Sequence, residues 1–572
     1  MKPFVCVIVL CIAVLSAQIA LAADAAPAAA KAAPRVTLTS TGGVLVDGQP
    51  FLPIFVWAQP SSLLETHKAL GMNTMHPGEK VELDPPKAYL DKLQAAGMMG
   101  LVNLEVMTGE IVSHPAVLAW TVEHEPDSAQ APGYQADLSG QAKIVWIEGE
   151  SAKENTFKRN PWLDQKLAQL SGGAWLTADA SGQGKAVYEF DLPADGAYTL
   201  WVREFTKNWA NPTRWTLDDK AAQETPRTLA ADDNVNLGAG RGVAWSQYGQ
   251  VDLTKGRHKL TLEVVAGRTL GKAAEPGKDA IWAVDAICLT SAAKYPPAQK
   301  AEPTPTRGSE VEKANFERVK AANPKALTWN ILTTGFFGGY NKLPLRYYDE
   351  FLKWTDITSF DHYPVTGWNQ PARLPEVGLA TRKLVSMCRP GQPVWTIVEA
   401  SDQELSWTAP ETKGPAAAEM RAEIWMAIAG GAKGIGYFTI AFGDKKKDGF
   451  KWNHLTEEIQ AELKRSNAQL TALTAPIVVG DTKKALTVSG DATDDKAAEG
   501  RAIQAIRKEY QGRTYVIAVN VTRQEVAPTF TLAEPPAAAE VAAWQEGRTL
   551  PLKGGAFSDA FKPLEVHIYE IK

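Results

Sequence analysis

Two apolar segments of the chain end in glutamates, and these residues could carry out acid–base chemistry. The segment LAWTVEHEPD is predicted to be a strand that ends in Glu123, His124 and Glu125. The segment PVWTIVEAS is predicted to be a strand that ends at Glu399. Cleavage of a glycosidic bond needs one carboxylic acid to protonate the leaving oxygen and one carboxylate to attack carbon or activate water. If the two strand ends meet, they supply such a pair.

The elements around these glutamates alternate between helix and strand. Helical segments such as SSLLETHKALG and PLRYYDEFLKW separate four predicted strands in the first part of the chain and four in a later part. This rhythm is typical of a parallel sheet, and eight such units favour one (β/α)8 barrel interrupted after its fourth strand. Two separate α/β domains are the alternative, and each would leave four strands with an open edge.

The interruption and the C-terminal part have a different pattern. Segments such as GAYTLWVREF and FKPLEVHIYEIK are short, alternate in polarity and are separated by turn residues, which indicates β-sandwiches. The fold class is therefore α/β, a (β/α)8 TIM barrel with an inserted β-sandwich and a C-terminal β-sandwich. The predicted ranges are a signal peptide (1–22), an Ala/Pro-rich spacer (23–35), the barrel (36–127 and 309–473), the insertion (143–292), a Pro-rich linker (293–308) and the C-terminal sandwich (474–572).

In a (β/α)8 barrel the C-terminal ends of the strands share one mouth, where catalytic groups lie. Glu125 is nearer the end of strand four than Glu123, so we expect Glu125 to be the acid/base and Glu123 a structural partner. The strand-end residues predicted to bind substrate are Trp57, His76, His124, Asn330 and Tyr363. Acids, histidines and aromatic residues without a Gly-rich phosphate loop favour glycoside chemistry.

The segments HPAVLAWTVEHEPD and VWTIVEAS resemble the clan A glycoside hydrolases, which are retaining (β/α)8 enzymes. The resemblance implies Glu125 as acid/base, Glu399 as nucleophile, and a hydrogen bond from Tyr363 to that nucleophile. His124 stands where the clan usually has Asn, and His76 where Arg is often found. Trp407, shortly after Glu399, is predicted to form a wall of the sugar site or to pack on the barrel rim.

The insertion has a resemblance of its own. Its segments IVWIEGESA, ADGAYTLWVRE and WAVDAICLT resemble carbohydrate-binding modules of families 6 and 35. That resemblance implies a structural Ca²⁺ held by Glu148, Glu150 and Asp285, whose carboxylates are hard oxygen ligands. Tryptophans of the insertion are candidates for stacking on sugar, with core packing as the alternative: Trp209, Trp215, Trp245 and Trp282.

Composition limits the other partners. A net charge of −5 gives no basic surface for nucleic acid. Lys2, an apolar stretch and the ALA motif at residues 20–22 predict a cleavable signal peptide, hence a secreted or periplasmic protein without stable membrane insertion. Cys288 and Cys388 are expected to be free thiols, and no cofactor is expected in catalysis.

Together these observations predict an exported glycoside hydrolase that cleaves β-linked oligo- or polysaccharides with retention. The alternative is a catalytically inactive glycan-binding protein that uses the barrel cleft and the inserted sandwich. A transglycosylase would use the same two glutamates. The sequence does not indicate the sugar, endo or exo action, or the oligomeric state.

Overall fold

The structure is a computed structural model that describes most of the chain after residue 34. The described residues are 35–77, 85–130, 143–164, 167–178, 184–205, 210–225, 231–238, 241–265, 281–291, 304–305, 307–337, 343–402, 413–442 and 450–572. The predicted signal peptide, Trp407 and Trp209 lie outside these residues.

Eight parallel strands form a closed barrel, which confirms the predicted fold class. Its two halves come from the segments before and after the insertion, and the last strand of the first half pairs with the first strand of the second. In chain order the strands are β1 (Ile54–Val56), β2 (Thr74–Met75), β3 (Met99–Asn103), β4 (Val117–His124), β5 (Thr328–Leu332), β6 (Ile357–Asp361), β7 (Val394–Glu399) and β8 (Ile435–Phe438).

The barrel strands are buried on both faces, which is why they are apolar runs rather than strictly alternating ones. Inward side chains meet in an aromatic centre, where the rings of Trp329 and Trp395 lie 5.6 Å from that of Phe55. Trp120 and Val122 of β4 face the other way and pack in the cluster shared with the helices. This alternation decides which side chains can reach the interior of the barrel.

Helices surround the barrel, and their ends follow local sequence signals. Helix α2 has Pro86 at its first position, where no intrahelical N–H is needed. Helix α7 stops at Gly431, which has φ of +106°, a conformation that favours glycine. The helices are α1 (Leu64–Ala69), α2 (Pro86–Ala95), α3 (Gly109–Val112), α4 (Ser309–Ala322), α5 (Arg346–Lys353), α6 (Glu376–Met387), α7 (Ala417–Gly430), α8 (Glu457–Ala472) and α9 (Thr474–Val479).

The insertion leaves and rejoins the barrel through a two-stranded junction, in which Ala129–Gln130 pairs antiparallel with Thr304–Pro305. Beyond it lie two antiparallel sheets that share one hydrophobic core. One sheet contains Glu154–Asn155, Lys185–Leu192, Gly256–Val264, Thr213–Leu217 and Gln223–Glu224. The other contains Leu176–Ala178, Trp282–Thr290, Gly196–Phe205, Arg241–Leu253 and Ala231–Gly238, with Ile144–Glu148 paired to Trp282–Thr290.

Three tryptophans that were candidates for stacking on sugar are core residues of the insertion. Trp215, Trp245 and Trp282 are 2%, 0% and 1% exposed. Trp282 also donates its indole N–H to Glu204, a buried carboxylate. The core-packing alternative therefore holds for these three.

The C-terminal part forms two more sheets around a shared core. Helix α7 of the barrel packs on its strands, and Gln504 donates a hydrogen bond to the carbonyl of Pro375 at 2.8 Å. One sheet contains Leu486–Ser489, Thr529–Leu532 and Ala556–Ser558; the other contains Ile503–Tyr510, Arg513–Asn520, Val566–Ile571, Glu540–Ala543 and Arg548–Pro551. Within the described ranges, every helix is too short or too polar to cross a membrane.

Candidate functional site

Glu125 lies at the mouth of the barrel, directly after β4. Its backbone N–H donates to the carbonyl of Ile331 on β5 at 2.8 Å, so it is still tied to the barrel. Its φ of +48° is in the left-handed region, which turns the chain away from the strand. The side chain is half-buried, and Ser128 lies 3.5 Å from one carboxylate oxygen. A non-glycine residue held in this conformation at a strand end is typical of functional positions.

Glu123 forms an ion pair with Arg307. Its carboxylate accepts a hydrogen bond from Arg307 at 2.9 Å, and Glu123 is 8% exposed. Arg307 belongs to the segment that returns the chain from the insertion to α4. Glu123 therefore links the two barrel segments, in keeping with the structural role expected for it.

An aromatic floor lies inside the mouth and consists of Trp57, His124, Tyr363 and Phe438. The ring of Trp57 is 5.2 Å from that of His124 and 6.0 Å from that of Phe438. The ring of Tyr363 is 5.0 Å from that of Phe438. Trp57, His124 and Tyr363 are half-buried, so part of each remains accessible. Three residues predicted to bind substrate are thus brought together.

His76 lies beneath this floor rather than at its surface. Its ring stacks on that of Trp57 at 6.1 Å, and its Nε2 is within hydrogen-bond distance of Asn103 and Thr121. Burial lowers the pKa of His76 to about 3, so the ring is neutral at physiological pH. In this position His76 supports Trp57 from below.

Asp361, the last residue of β6, is a second carboxylate at the mouth. Ile357 of the same strand packs in the barrel interior and Ser359 accepts from the inward-facing Trp329, so Asp361 continues the inward face. Its side chain is half-buried. Burial raises the pKa of Asp361 well above its usual range, and the nearby charge of Glu125 raises it further. The carboxylate of Glu125 is therefore near enough to Asp361 for its charge to be felt there.

Tyr363 does not make the hydrogen bond that the clan A resemblance implies. The hydrogen bonds of the Glu399 carboxylate come from the backbone N–H groups of Val365 and Thr366, and Tyr363 lies beside Asp361. The reason is geometric, because Asp361 and Tyr363 both point to the inside of the barrel at the end of β6.

Asp127 anchors the segment after Glu125, a function that sequence analysis missed. It is completely buried and accepts hydrogen bonds from the backbone N–H and hydroxyl of Thr333, both at 2.8 Å, and from Tyr348 at 2.9 Å. Burial raises the pKa of Asp127 to about 7. Its position directly after Pro126 in the HEPD segment was the available signal.

Glu399 lies at the end of β7, as predicted, but its carboxylate is enclosed. The residue is 0% exposed, and its two oxygens accept from the backbone N–H groups of Val365, at 2.7 Å, and Thr366. Glu423 of α7, which is also 0% exposed, lies against it. Burial raises the pKa of Glu399 to about 7. The nucleophilic role that the resemblance implies therefore stays a prediction.

Asn330 is not at the mouth. Its neighbours Trp329 and Ile331 face the barrel interior, so Asn330 faces the helices. There its amide donates to Glu312 of α4 at 2.6 Å, and both residues are fully buried. The expected contact between Asn330 and substrate is incompatible with this position.

The three acids of the predicted calcium site have other contacts in the structure. Asp285 and Arg203 form an ion pair in which both side chains are 0% exposed, and the backbone N–H of Ser171 donates to Asp285 at 2.9 Å. Glu148 accepts from the indole of Trp146 at 2.9 Å, and Glu150 is exposed. The described residues contain no group of three or more acidic, His or Cys side chains arranged for a metal. Because Arg203 already supplies a positive charge beside Asp285, the calcium site stays a prediction.

The second half of the barrel matches a known family. Residues 310–451 match the family model for family 42 glycoside hydrolases, described as beta-galactosidase. The matched range includes Asp361 and Glu399 but begins after the insertion, so Glu125 lies outside it. No curated protein sequence matches the chain.

Solved structures of glycoside hydrolases are similar to part of the chain. An alpha-amylase from Geobacillus thermoleovorans, complexed with acarbose, is 13% identical over 46% of this chain and 57% of its own, with a TM-score of 0.34. The beta-galactosidase from Bacillus circulans sp. alkalophilus is 11% identical over 46% of this chain and 66% of its own, with a TM-score of 0.33. The GH42 beta-galactosidase Gan42B from G. stearothermophilus is 11% identical over 46% of this chain and 67% of its own, also with a TM-score of 0.33. The chain spans less than two thirds of the first of these structures.

Proposed function

We propose that this chain is a glycoside hydrolase that cleaves β-linked oligo- or polysaccharides at the mouth of its barrel. The observation that carries the proposal is that Glu125, directly after β4, and Asp361, the last residue of β6, lie at the same mouth as the aromatic floor. Aromatic rings offer flat apolar surfaces for a sugar, and carboxyl groups at the same mouth are the groups that cleavage of its glycosidic bond requires. The match of residues 310–451 to family 42 supports the same chemistry.

The proposed reaction is a double displacement with retention. Glu125 protonates the leaving oxygen while a second carboxylate attacks the anomeric carbon. Water then hydrolyses the glycosyl ester, and Glu125 takes the proton of that water. Two residues compete for the role of the attacking carboxylate: Glu399, because of the clan A resemblance, and Asp361, because of its place at the mouth.

The sugar specificity and the insertion belong to the same proposal. The family match makes β-galactosides the first substrates to examine. Because the insertion departs within a few residues of Glu125, we expect it to border the substrate cleft. Trp162 of the insertion is 39% exposed, so it is a candidate contact for glycan.

We also propose that the protein is exported. Lys2, the apolar stretch after it and the ALA motif support export through a cleavable signal peptide. Cleavage predicts that the mature protein begins near Ala23. Amino-terminal sequencing of protein secreted by an expression host measures this directly.

The experiment is product release from a panel of β-linked polysaccharides and aryl β-glycosides, starting with β-galactosides. We expect turnover by the wild type and a loss of about 10²–10⁴-fold in kcat for Glu125→Gln on substrates with poor leaving groups. Glu105→Gln is the matched control, because Glu105 is exposed just after β3. Glycan binding without turnover on any substrate would instead support the inactive binding protein.

A further inference from the structure

The backbone at Glu125 has a conformation that its surroundings must hold in place. Its φ of +48° lies in the left-handed region, which non-glycine residues rarely adopt. The next residue is Pro126, and a residue before proline normally prefers extended backbone with a negative φ. Such a conformation persists only where the surrounding structure fixes it. The direction of the Glu125 side chain therefore depends on the contacts on both sides of this residue.

The contacts of the turn itself fix only one side of it. The backbone N–H of Glu125 donates to the carbonyl of Ile331 at 2.8 Å, which ties the strand side to β5. The backbone N–H of Ser128 donates to the carbonyl of Glu125 at 3.1 Å, which closes the turn on itself. The carbonyl of Pro126 accepts a long hydrogen bond, 3.5 Å, from the backbone of Arg307. A stronger contact is needed to hold the far side of the turn to the barrel.

Asp127 supplies this contact. One of its carboxylate oxygens accepts the backbone N–H of Thr333 at 2.8 Å. The other accepts the hydroxyl groups of Thr333, at 2.8 Å, and of Tyr348, at 2.9 Å. Asp127 and Tyr348 are 0% exposed and Thr333 is 7% exposed, so the three hydrogen bonds are shielded from water. A buried polar group whose partners are all in place makes its surroundings rigid.

The partners of Asp127 belong to rigid parts of the barrel. Thr333 directly follows β5. Tyr348 is on α5, where its ring lies 5.7 Å from that of Phe336 and 6.1 Å from that of Phe351. Two elements next to β4 therefore hold the side chain of Asp127, two positions after the proposed acid/base.

We infer that Asp127 is a positioning residue that holds the turn on which the Glu125 carboxylate meets the leaving oxygen. This inference rests on the proposed function. Because Asp127 is completely buried, it does not touch a substrate and acts only through Glu125. A displacement of about 1 Å in an acid–base group can cost about a hundredfold in rate. The loss of Asp127 should therefore fall on the step in which Glu125 gives up its proton.

The first test measures kcat/KM on aryl β-glycosides of one sugar, starting with galactose, whose leaving groups range from dinitrophenol to phenol. Dinitrophenol leaves without a proton, whereas phenol needs one from the acid. Asp127→Asn, in the full chain, should lose about tenfold to a hundredfold on the phenyl substrate and less than about threefold on the dinitrophenyl substrate. Asp349→Asn is the matched control and should equal the wild type on both, since Asp349 is exposed beside Tyr348 on α5.

Tyr348→Phe tests the same anchor with a smaller change, and it covers the case in which Asp127→Asn does not fold. It keeps the aromatic packing and removes one of the three hydrogen bonds to Asp127. We expect a smaller loss that is again confined to the substrates with poor leaving groups. Tyr347→Phe is its control, because Tyr347 is the neighbouring residue on the helix and its ring lies beneath Arg346, at 4.9 Å.

A double variant examines whether Asp127 acts through Glu125. In Glu125→Gln no proton is delivered, so adding Asp127→Asn should cost less than about threefold more on the phenyl substrate. An equal loss on all leaving groups, or a full further loss in the double variant, would overturn the inference and leave the proposed function intact. A wild type without turnover of any aryl β-glycoside or β-linked polysaccharide would overturn the proposed function, and the inference with it.

Discussion

Replacement of Arg203 by methionine should destabilise the inserted sandwich strongly. The ion pair between Arg203 and Asp285 has both side chains at 0% exposure, so the variant would leave a buried carboxylate without its counter-charge. Loss of one member of a buried ion pair costs about 3–5 kcal/mol. The double variant Arg203→Met with Asp285→Leu should recover most of this loss, since apolar groups of similar volume can replace both charges.

Hydrogen exchange measured by mass spectrometry suits this prediction, because it reports the opening free energy of one region in a multidomain chain. Peptides from Gly196–Phe205, the strand that carries Arg203, should exchange about a hundredfold to several thousandfold faster in Arg203→Met. Arg159→Met is the matched control. Arg159 pairs with Asp164 in the same sandwich but is 76% exposed, and its loss should cost no more than about 1 kcal/mol. Exchange in Arg203→Met as slow as in this control would refute the reasoning.

Two further predictions concern charge at buried sites. Removal of calcium with a chelator should leave the melting temperature unchanged, because Arg203 supplies the positive charge beside Asp285; a fall that added Ca²⁺ reverses would contradict this. Burial holds the pKa of His76 near 3 in the folded protein, whereas an unfolded histidine has a pKa of about 6.5. Below about pH 6.5 the His76 ring therefore binds a proton only in the unfolded chain, so the free energy of unfolding falls as the pH falls. At pH 5 this loss amounts to about 2 kcal/mol. In urea unfolding, the free energy of unfolding of His76→Gln should therefore fall about 2 kcal/mol less on acidification than that of the wild type; an equal fall in both proteins would contradict the prediction.

The barrel could be predicted from sequence because its signals are local. Each strand is an apolar run of nearly constant burial, and helices with recognisable ends lie between most strands. The inward face of β7 also followed from alternation, since Trp395 and Ile397 both lie in the barrel interior. The location of Glu125 at the mouth depends on the same local rules together with the position of Pro126.

The direction of the Glu399 carboxylate could not be predicted in this way. It is decided by backbone N–H groups of Val365 and Thr366, in a loop whose path no local pattern specifies, and by Glu423 on the following helix. Asn330 shows a different failure. Because Asn330 lies between the inward-facing Trp329 and Ile331, its side chain is on the outer face of the barrel. Its partner there, Glu312, comes from α4, the helix that precedes β5 in the chain.

The ion pair at Asp285 could not be predicted for a related reason. The acids Glu148, Glu150 and Asp285 were identified from a resemblance that concerns the carboxylates alone. The residue that decides the electrostatics is Arg203, which comes from another strand of the same sheet and is paired across from Ala286. A basic residue inside an apolar strand such as GAYTLWVREF is the signal that could have found it.

The two-stranded junction formed by Ala129–Gln130 and Thr304–Pro305 determines how much loop-closure entropy the insertion adds to the folding of the barrel. Loop-closure entropy depends on the length of chain between two fixed points, and here the two ends of the insertion are already paired. The loop-closure entropy of the connection between β4 and α4 is therefore close to that of a short hairpin, whatever the length of the module beyond the junction. Modules of other sizes could therefore be exchanged at Gln130 and Thr304 while the barrel keeps its closure, which makes this junction a natural site for the recombination of inserted modules.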